Sequence, residues 1–228
     1  MIEHYYAIVP AAGIGQRMQA DRPKQYLSLL GKTVLEHTLE NLLKTQLFSK
    51  IIVAIAAEDE YWATLTISKH PDILTAAGGK QRADSVLSAL NSIVLQVTEL
   101  DWVLVHDAAR PCVTISEIEQ LIKELHQEPI GGILALPCHD TLKQVYNHQI
   151  EKTLNRQTIW RALTPQMFRY GILKLALKQT QGLSQITDEA SAIEYLGLTA
   201  KIVEGKSSNI KITQTEDLRL AQFYLEQL

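Results

Sequence analysis

The first residues able to do chemistry form a loop, Pro10-Ala11-Ala12-Gly13-Ile14-Gly15-Gln16-Arg17-Met18, followed closely by Pro23-Lys24-Gln25-Tyr26. Small residues let backbone N–H groups approach phosphate oxygens, and a cation must then balance the charge. Arg17 and Lys24 are placed to supply it. Neither familiar phosphate motif is present: Met18 stands where a dinucleotide fingerprint needs its third glycine, and no Gly-Lys-Ser/Thr closes the loop as in a Walker A sequence. Taken alone, such a Gly-x-Gly is more simply a tight turn flanked by two solvated cations.

Two further clusters change that balance. Gly78-Gly79-Lys80-Gln81-Arg82-Ala83-Asp84-Ser85-Val86 joins a flexible glycine pair to a helix start, where Ser85 could bond a base or a phosphate oxygen; the plainer alternative is Ser or Asp capping a helix. Val105-His106-Asp107-Ala108-Ala109-Arg110-Pro111 ends a strand-like run. There Asp107 could hold Mg²⁺ or another divalent cation between phosphates, and Arg110 could grip a second phosphate with both arms of its guanidinium. An internal Asp107–Arg110 ion pair is the competing account, and both can hold. His106 invites a general-base role, but a phosphate oxygen attacking near neutral pH has no proton to lose, so His106 reads as structural.

These clusters need elements to hold them. Tyr6 to Pro10, Ile51 to Ala56, Trp102 to Val105 and Ile133 to Leu136 read as buried strands. Helical spacing runs over Val34 to Leu43, with Thr33 and Glu36 as a capping box, and over Ser85 to Val94 and Ile115 to His126. Strand–helix alternation of this kind predicts an α/β fold with a mostly parallel sheet. Ligands then bind beyond the carboxyl ends of the strands, in the loops that start at Pro10, Ala57, Ala76, His106 and Pro137. The stretch 138–160 departs from the pattern. Two short polar strands, Thr141 to Tyr146 and Ile150 to Leu154, flank a turn at Asn147-His148-Gln149 and predict a protruding hairpin. A lone hairpin is marginal in water, so it should rest on its own subunit or on a second one. After it the pattern returns to helix from Met167, then a helical piece around Asp188 to Leu196, a strand from Ala200 to Val203 and a last helix from Glu216 to Leu225.

Length and composition bound the function. With 228 residues, one decorated domain spanning 1–228 is expected. A formal net charge of −3 argues against nucleic-acid binding by bulk electrostatics, so any bound anion must be met by local cations. Apolar runs end well short of bilayer length and the N-terminus has no leader pattern, which predicts a cytoplasmic protein without membrane contact. Cys112 and Cys138 sit in no CxxC and no His-rich cluster, so neither a disulfide framework nor structural zinc is expected.

AAGxGxRM followed by PKQY after an N-terminal strand resembles the signature of nucleotidyltransferases that activate sugars and polyols. With GGKQRADSV, VHDAARP, DTLK, RALTPQ, ITDEAS and VEGKSSNIKIT, the resemblance spans nearly the whole chain and is to the 2-C-methyl-D-erythritol 4-phosphate cytidylyltransferases. It implies a Rossmann-like, mostly parallel sheet of the nucleotidyltransferase (GT-A-like) type. It further implies a homodimer in which a β-arm, here 138–160, reaches into the neighbour's site. By matching motif, Arg17 and Lys24 would stabilise charge on the α-phosphate and departing pyrophosphate, while Arg156 and Lys211 would orient the attacking polyol phosphate. Cytidine would lie near Ala11, Ala12, Gly13, Gly15, Gly79, Ser85 and Ala108. Asp107, Arg110, Thr164 and Thr187 would line the acceptor pocket, with Thr141 and Arg156 contributed across the dimer. The family pattern places an acidic residue after the glycine pair, where this chain has Lys80.

The implied reaction joins CTP to 2-C-methyl-D-erythritol 4-phosphate with release of pyrophosphate. Two like unit charges ~4 Å apart repel by about 4 kcal/mol at an effective dielectric near 20, so cations must assemble where the polyanions meet. Ribitol-5-phosphate cytidylyltransferase shares the loop architecture but begins the loop with a Gly pair, and remains an alternative. A nucleotide-binding regulator without turnover is opposed by the joint presence of Arg17, Lys24, Asp107, Arg156 and Lys211. An NAD-dependent Rossmann enzyme is opposed by Met18 and by the lack of an acidic ribose ligand after the second strand.

Overall fold

The computed structural model describes residues 3–13 and 22–227. Eleven strands and six α-helices are formed among them. The strands are β1 (Tyr5–Pro10), β2 (Ser28–Leu29), β3 (Lys32–Thr33), β4 (Lys50–Ile55), β5 (Ile73–Ala77) and β6 (Trp102–Val105), then β7 (Gly131–Pro137), β8 (Lys143–Tyr146), β9 (Gln149–Thr153), β10 (Trp160–Arg169) and β11 (Lys201–Glu204). The helices are α1 (Val34–Lys44), α2 (Arg82–Ser92), α3 (Ile115–Leu125), α4 (Tyr170–Gln179), α5 (Glu189–Tyr195) and α6 (Thr215–Leu225).

Seven strands make one sheet in the order β11-β7-β10-β6-β1-β4-β5, parallel except for β10, which runs antiparallel between β6 and β7. Each central strand is apolar on both faces. Ala7 and Val9 of β1, Ile51 and Val53 of β4 and Trp102 and Leu104 of β6 pack with Leu35, Leu39, Leu121 and Leu125 of α1 and α3. The alternating residues Tyr6, Ile8, Ile52, Val103 and Val105 pack on the other face with Val86 and Leu90 of α2, Leu173 of α4 and Ile193 of α5. Burial on both faces is what turns these strands into continuous apolar runs. No helix among the described residues is long and apolar enough to cross a membrane.

The chain runs from β1 outward through β4 to β5 and then returns to β6 on the other side of β1. Such a reversal opens a crevice beyond the carboxyl ends of β1 and β6, because the flanking connections leave in opposite directions. The loops after Pro10 and Val105 border it.

The predicted strands and helices form with shifts of a few residues at their ends, and the Thr33–Glu36 capping box is present as expected. The segment read as returning to helix from Met167 instead completes β10, and the helix starts at Tyr170. Pro165 obscured this strand. A proline lacks the N–H a sheet needs, and the pairing register with β7 shifts between Ala162 and Gln166 to accommodate it. Strand β5 also went unread. The hairpin is present: β8 and β9 pair antiparallel as a separate two-stranded sheet, turning through Asn147 and His148 at φ 46° and 62°. Positive φ at both central residues matches the right-handed twist of the flanking strands. Every residue of β8 and β9 is exposed.

Gly131 has φ 129°, and a Cβ there would collide with the Met167 carbonyl on β10. Gly131→Ala should therefore lower stability by about 2 kcal/mol or more, read as a lower urea midpoint at unchanged slope.

Candidate functional site

Ala11, Ala12, Gly13, Lys24, Gly79, Ser85 and Ala108, all expected on the nucleotide side, line a single cleft in the crevice, together with Lys80, Asp107 and Lys211. Gly15 and Arg17 lie outside the described residues. The first loop is held from behind by Gln25, a buried side chain whose amide donates to the carbonyls of Ala11 at 2.6 Å and Gly13 at 3.0 Å. Gln25 was not singled out, although it sits within the Pro-Lys-Gln-Tyr motif. Lys24 Nζ donates to the Ile212 carbonyl at 2.9 Å, tying this loop to the segment that carries Lys211.

Ser85 is not a helix cap. Helix α2 begins at Arg82, and Asp84 accepts from the Gln81 N–H at 3.1 Å. Ser85 Oγ accepts from the Gly79 N–H at 3.0 Å and donates to the Gln81 carbonyl at 3.2 Å, so its hydroxyl shapes the glycine loop from within.

Asp107, Arg110, Thr164, Thr187 and Lys211, expected on the acceptor side, line an adjoining cleft, which shares Arg82, Asp107 and Lys211 with the first. Thr141 and Arg156 line neither cleft. Both are exposed at the base of the hairpin, where Arg156 donates to the His139 carbonyl. The chain thus brings together the residues expected on both sides of the site and leaves Thr141 and Arg156 of the hairpin segment outside both clefts.

Asp107 is the junction. Its Oδ1 lies 2.9 Å from Arg82 Nε, and its Oδ2 lies 3.4 Å from Arg110 Nε and 2.9 Å from Lys211 Nζ. The expected Asp107–Arg110 pair is therefore real but belongs to a larger cluster. Burial alone would raise the Asp107 pKa, but the charges of Arg82, Lys211 and Arg110 outweigh it and hold the carboxyl well below the usual range. Arg82, absent from the expected site, also donates from Nη1 to Glu189 Oε1 at 2.6 Å. Burial raises the pKa of Glu189 against the pull of Arg82. The sequence signal for Arg82 was its place in the Gly-Gly-Lys-Gln-Arg cluster; nothing local pointed to Glu189.

Both oxygens of Asp107, the expected Mg²⁺ ligand, face cations in this structure. No group of three or more His, Cys, Asp or Glu side chains able to hold a metal occurs among the described residues.

His106 is fully buried, with Nε2 3.1 Å from the Arg110 carbonyl and Nδ1 3.0 Å from Thr164 Oγ1. Burial pushes its pKa down to about 4. A base whose folded pKa is depressed stabilises the fold fully above its unfolded value of about 6.5, and loses that contribution as pH falls toward 4. The loss should total roughly 3 kcal/mol over this window. Asp107, also depressed, adds its own loss at lower pH, while Glu189, raised, acts in the opposite sense over part of the range. The informative quantity is therefore the difference between the chain and a His106→Phe variant: unfolding free energies between pH 7 and pH 4.5 should fall less steeply in the variant.

Residues 5–227 match the family described as "IspD: 2-C-methyl-D-erythritol 4-phosphate cytidylyltransferase". Among curated relatives, the 2-C-methyl-D-erythritol 4-phosphate cytidylyltransferase of Vibrio cholerae is 55% identical over 221 residues, covering 96% of this chain and 95% of its own. The protein of the same name from Pseudomonas putida is 50% identical, covering 94% and 92%. The crystal structure of the Francisella tularensis protein of that name superposes with a TM-score of 0.86 at 41% identity, covering 97% of this chain and all of that one. With the whole sheet, both clefts and their cations inside the matched span, the chain belongs to the 2-C-methyl-D-erythritol 4-phosphate cytidylyltransferase family.

Proposed function

We propose that the chain transfers the cytidylyl group of CTP to 2-C-methyl-D-erythritol 4-phosphate, forming 4-diphosphocytidyl-2-C-methyl-D-erythritol and pyrophosphate in the non-mevalonate isoprenoid pathway. The observation that carries this reading is the pair of clefts that meet at Arg82, Asp107 and Lys211. A nucleotide in one cleft and a phosphate in the other would touch at that junction. An oxygen of the acceptor phosphate forms the new bond to the α-phosphorus, the bond from that phosphorus to the β-phosphate oxygen breaks, and pyrophosphate leaves with the electron pair. No proton has to move, and the work is positioning and charge stabilisation.

Lys24 lies on the nucleotide side and Lys211 at the junction, which suits the first to the α-phosphate and leaving group and the second to the attacking phosphate. Arg17 is assigned with Lys24 by motif. The side chain of Lys211 is 39% exposed while that of Asp107 is 9% exposed, so Lys211 can turn to an incoming phosphate without uncovering the carboxylate. Mg²⁺ or a similar cation is proposed to enter as the counter-ion of CTP, outside the protein's own ligand set. Ribitol 5-phosphate as acceptor, and a regulator without turnover, are not favoured given a family match that runs from residue 5 to 227.

The arm is proposed to complete the site in a homodimer. Support comes from its exposed apolar side chains, Val145, Tyr146 and Ile150, and from the absence of Thr141 and Arg156 from either cleft lining. We place the reaction in the cytoplasm. Its substrates are charged phosphates, and Cys112 and Cys138 are both free thiols that require no oxidising compartment.

Purified protein should release pyrophosphate from CTP with 2-C-methyl-D-erythritol 4-phosphate far faster than with ribitol 5-phosphate. Lys24→Ala should slow turnover by about 10²-fold or more, with the fold retained by circular dichroism. Wild-type turnover in that variant, or a preference for ribitol 5-phosphate, would overturn the assignment. Arm exchange has its own signature. Lys24→Ala and Arg156→Ala proteins, each inactive, should recover roughly a quarter of wild-type activity when unfolded together and refolded, because each mixed dimer then holds one intact site. No recovery would place Arg156 in its own subunit's site.

A further inference from the structure

His106 joins the loop after β6 to strand β10 through a chain of hydrogen bonds whose directions are all determined. The Asp107 N–H lies 3.0 Å from Thr164 Oγ1, Thr164 Oγ1 lies 3.0 Å from His106 Nδ1, and His106 Nε2 lies 3.1 Å from the Arg110 carbonyl. A backbone N–H can only donate and a carbonyl can only accept. The proton of the neutral ring must therefore sit on Nε2, leaving a lone pair at Nδ1. The Thr164 hydroxyl gives its single proton to that lone pair and receives the Asp107 N–H on its oxygen.

We propose that His106 is a positioning residue for the acceptor: its Nε2–H tautomer ties the Asp107–Arg110 turn to β10 and takes up the only proton of the Thr164 hydroxyl. Thr164 then supports Asp107 and has no proton left to donate to an acceptor phosphate, whose donors must be the surrounding cations. The same turn is closed from its other side. Arg110 Nη1 donates to the Asn209 carbonyl at 2.7 Å and Asn209 Nδ2 donates to the Thr164 carbonyl at 2.9 Å, two residues before Lys211. A side chain that touches no ligand in this scheme thus sets where Asp107, Arg110 and, through Asn209, Lys211 stand. The inference rests on the acceptor-side reading of Asp107 and Arg110 given above.

Two measurements test it. Long-range ¹H–¹⁵N correlation on the unmodified protein, with the His106 signals assigned by their loss in His106→Gln, should show one neutral Nε2–H tautomer at neutral pH. A charged ring or an Nδ1–H tautomer overturns the proposal. In steady-state assays, His106→Phe should raise KM for 2-C-methyl-D-erythritol 4-phosphate about tenfold while moving KM for CTP by less than about threefold. His106→Gln, which can still donate toward the Arg110 carbonyl but leaves the Thr164 hydroxyl without its acceptor, should shift KM the same way by less, and decides the matter if the Phe variant does not fold. Equal effects on both substrates, or only a lower active fraction, mean that His106 serves folding alone and overturn the proposal. Arg110→Lys separates the two levels. If it too leaves the acceptor KM unchanged, the acceptor-side reading has failed; if it raises that KM while the His106 variants do not, only the role of His106 has.

Discussion

Everything in the site is arranged around one buried carboxylate that three cations share. Arg82, Arg110 and Lys211 converge on Asp107 within 3.4 Å, and without a negative charge between them they would repel one another. Asp107 supplies that charge and holds the three cations together. Glu189 does the same for the far end of Arg82. Arg82 is consequently clamped between two carboxylates, while Lys211 is the most exposed of the three cations.

The fold supplies this junction by topology. The reversal of strand order at β1 sets the first loop beside the loop after β6, one carrying the small residues Ala11, Ala12 and Gly13 and the other carrying Asp107 and Arg110. Strand β10, antiparallel within the seven-stranded sheet, enters next to β6 and brings Thr164 and Gln166 under the same turn. Gln166 accepts from the Ala190 N–H at 2.9 Å and donates to Asp188 at 2.8 Å, so β10 also fixes the start of the helix that presents Glu189. One strand running against the sheet therefore connects both carboxylates to the core.

The parts of this arrangement legible in the sequence were those governed by local pattern. Doubly buried strands announce themselves as apolar runs, the Thr33–Glu36 box marks its helix, and the clusters around Gly13, Gly79 and Asp107 carry the small residues and cations that an anion site calls for. What escaped was set by distant partners. Trp160 to Arg169 contains a proline and alternates poorly, and only its neighbours β6 and β7 make it a strand. Arg82 reads as an ordinary helix residue until Asp107 and Glu189, 25 and 107 positions away, are brought to it. Ser85 and Thr164 look like ligand donors by type, yet their protons are spent inside the protein, on the Gln81 carbonyl and on His106. The hairpin was visible as a break in the pattern because its strands are polar and short, but nothing within one chain specifies what it rests against.

Asp107→Asn removes the charge at the centre of this arrangement while preserving its size, and turns one of its two accepting oxygens into a donor, so its turnover number is the most direct test of the account. With CTP and 2-C-methyl-D-erythritol 4-phosphate at saturating concentrations, turnover should fall by about 10²-fold or more while the sheet and helices remain folded. Wild-type turnover in a folded Asp107→Asn protein would contradict the claim that this carboxylate assembles the site.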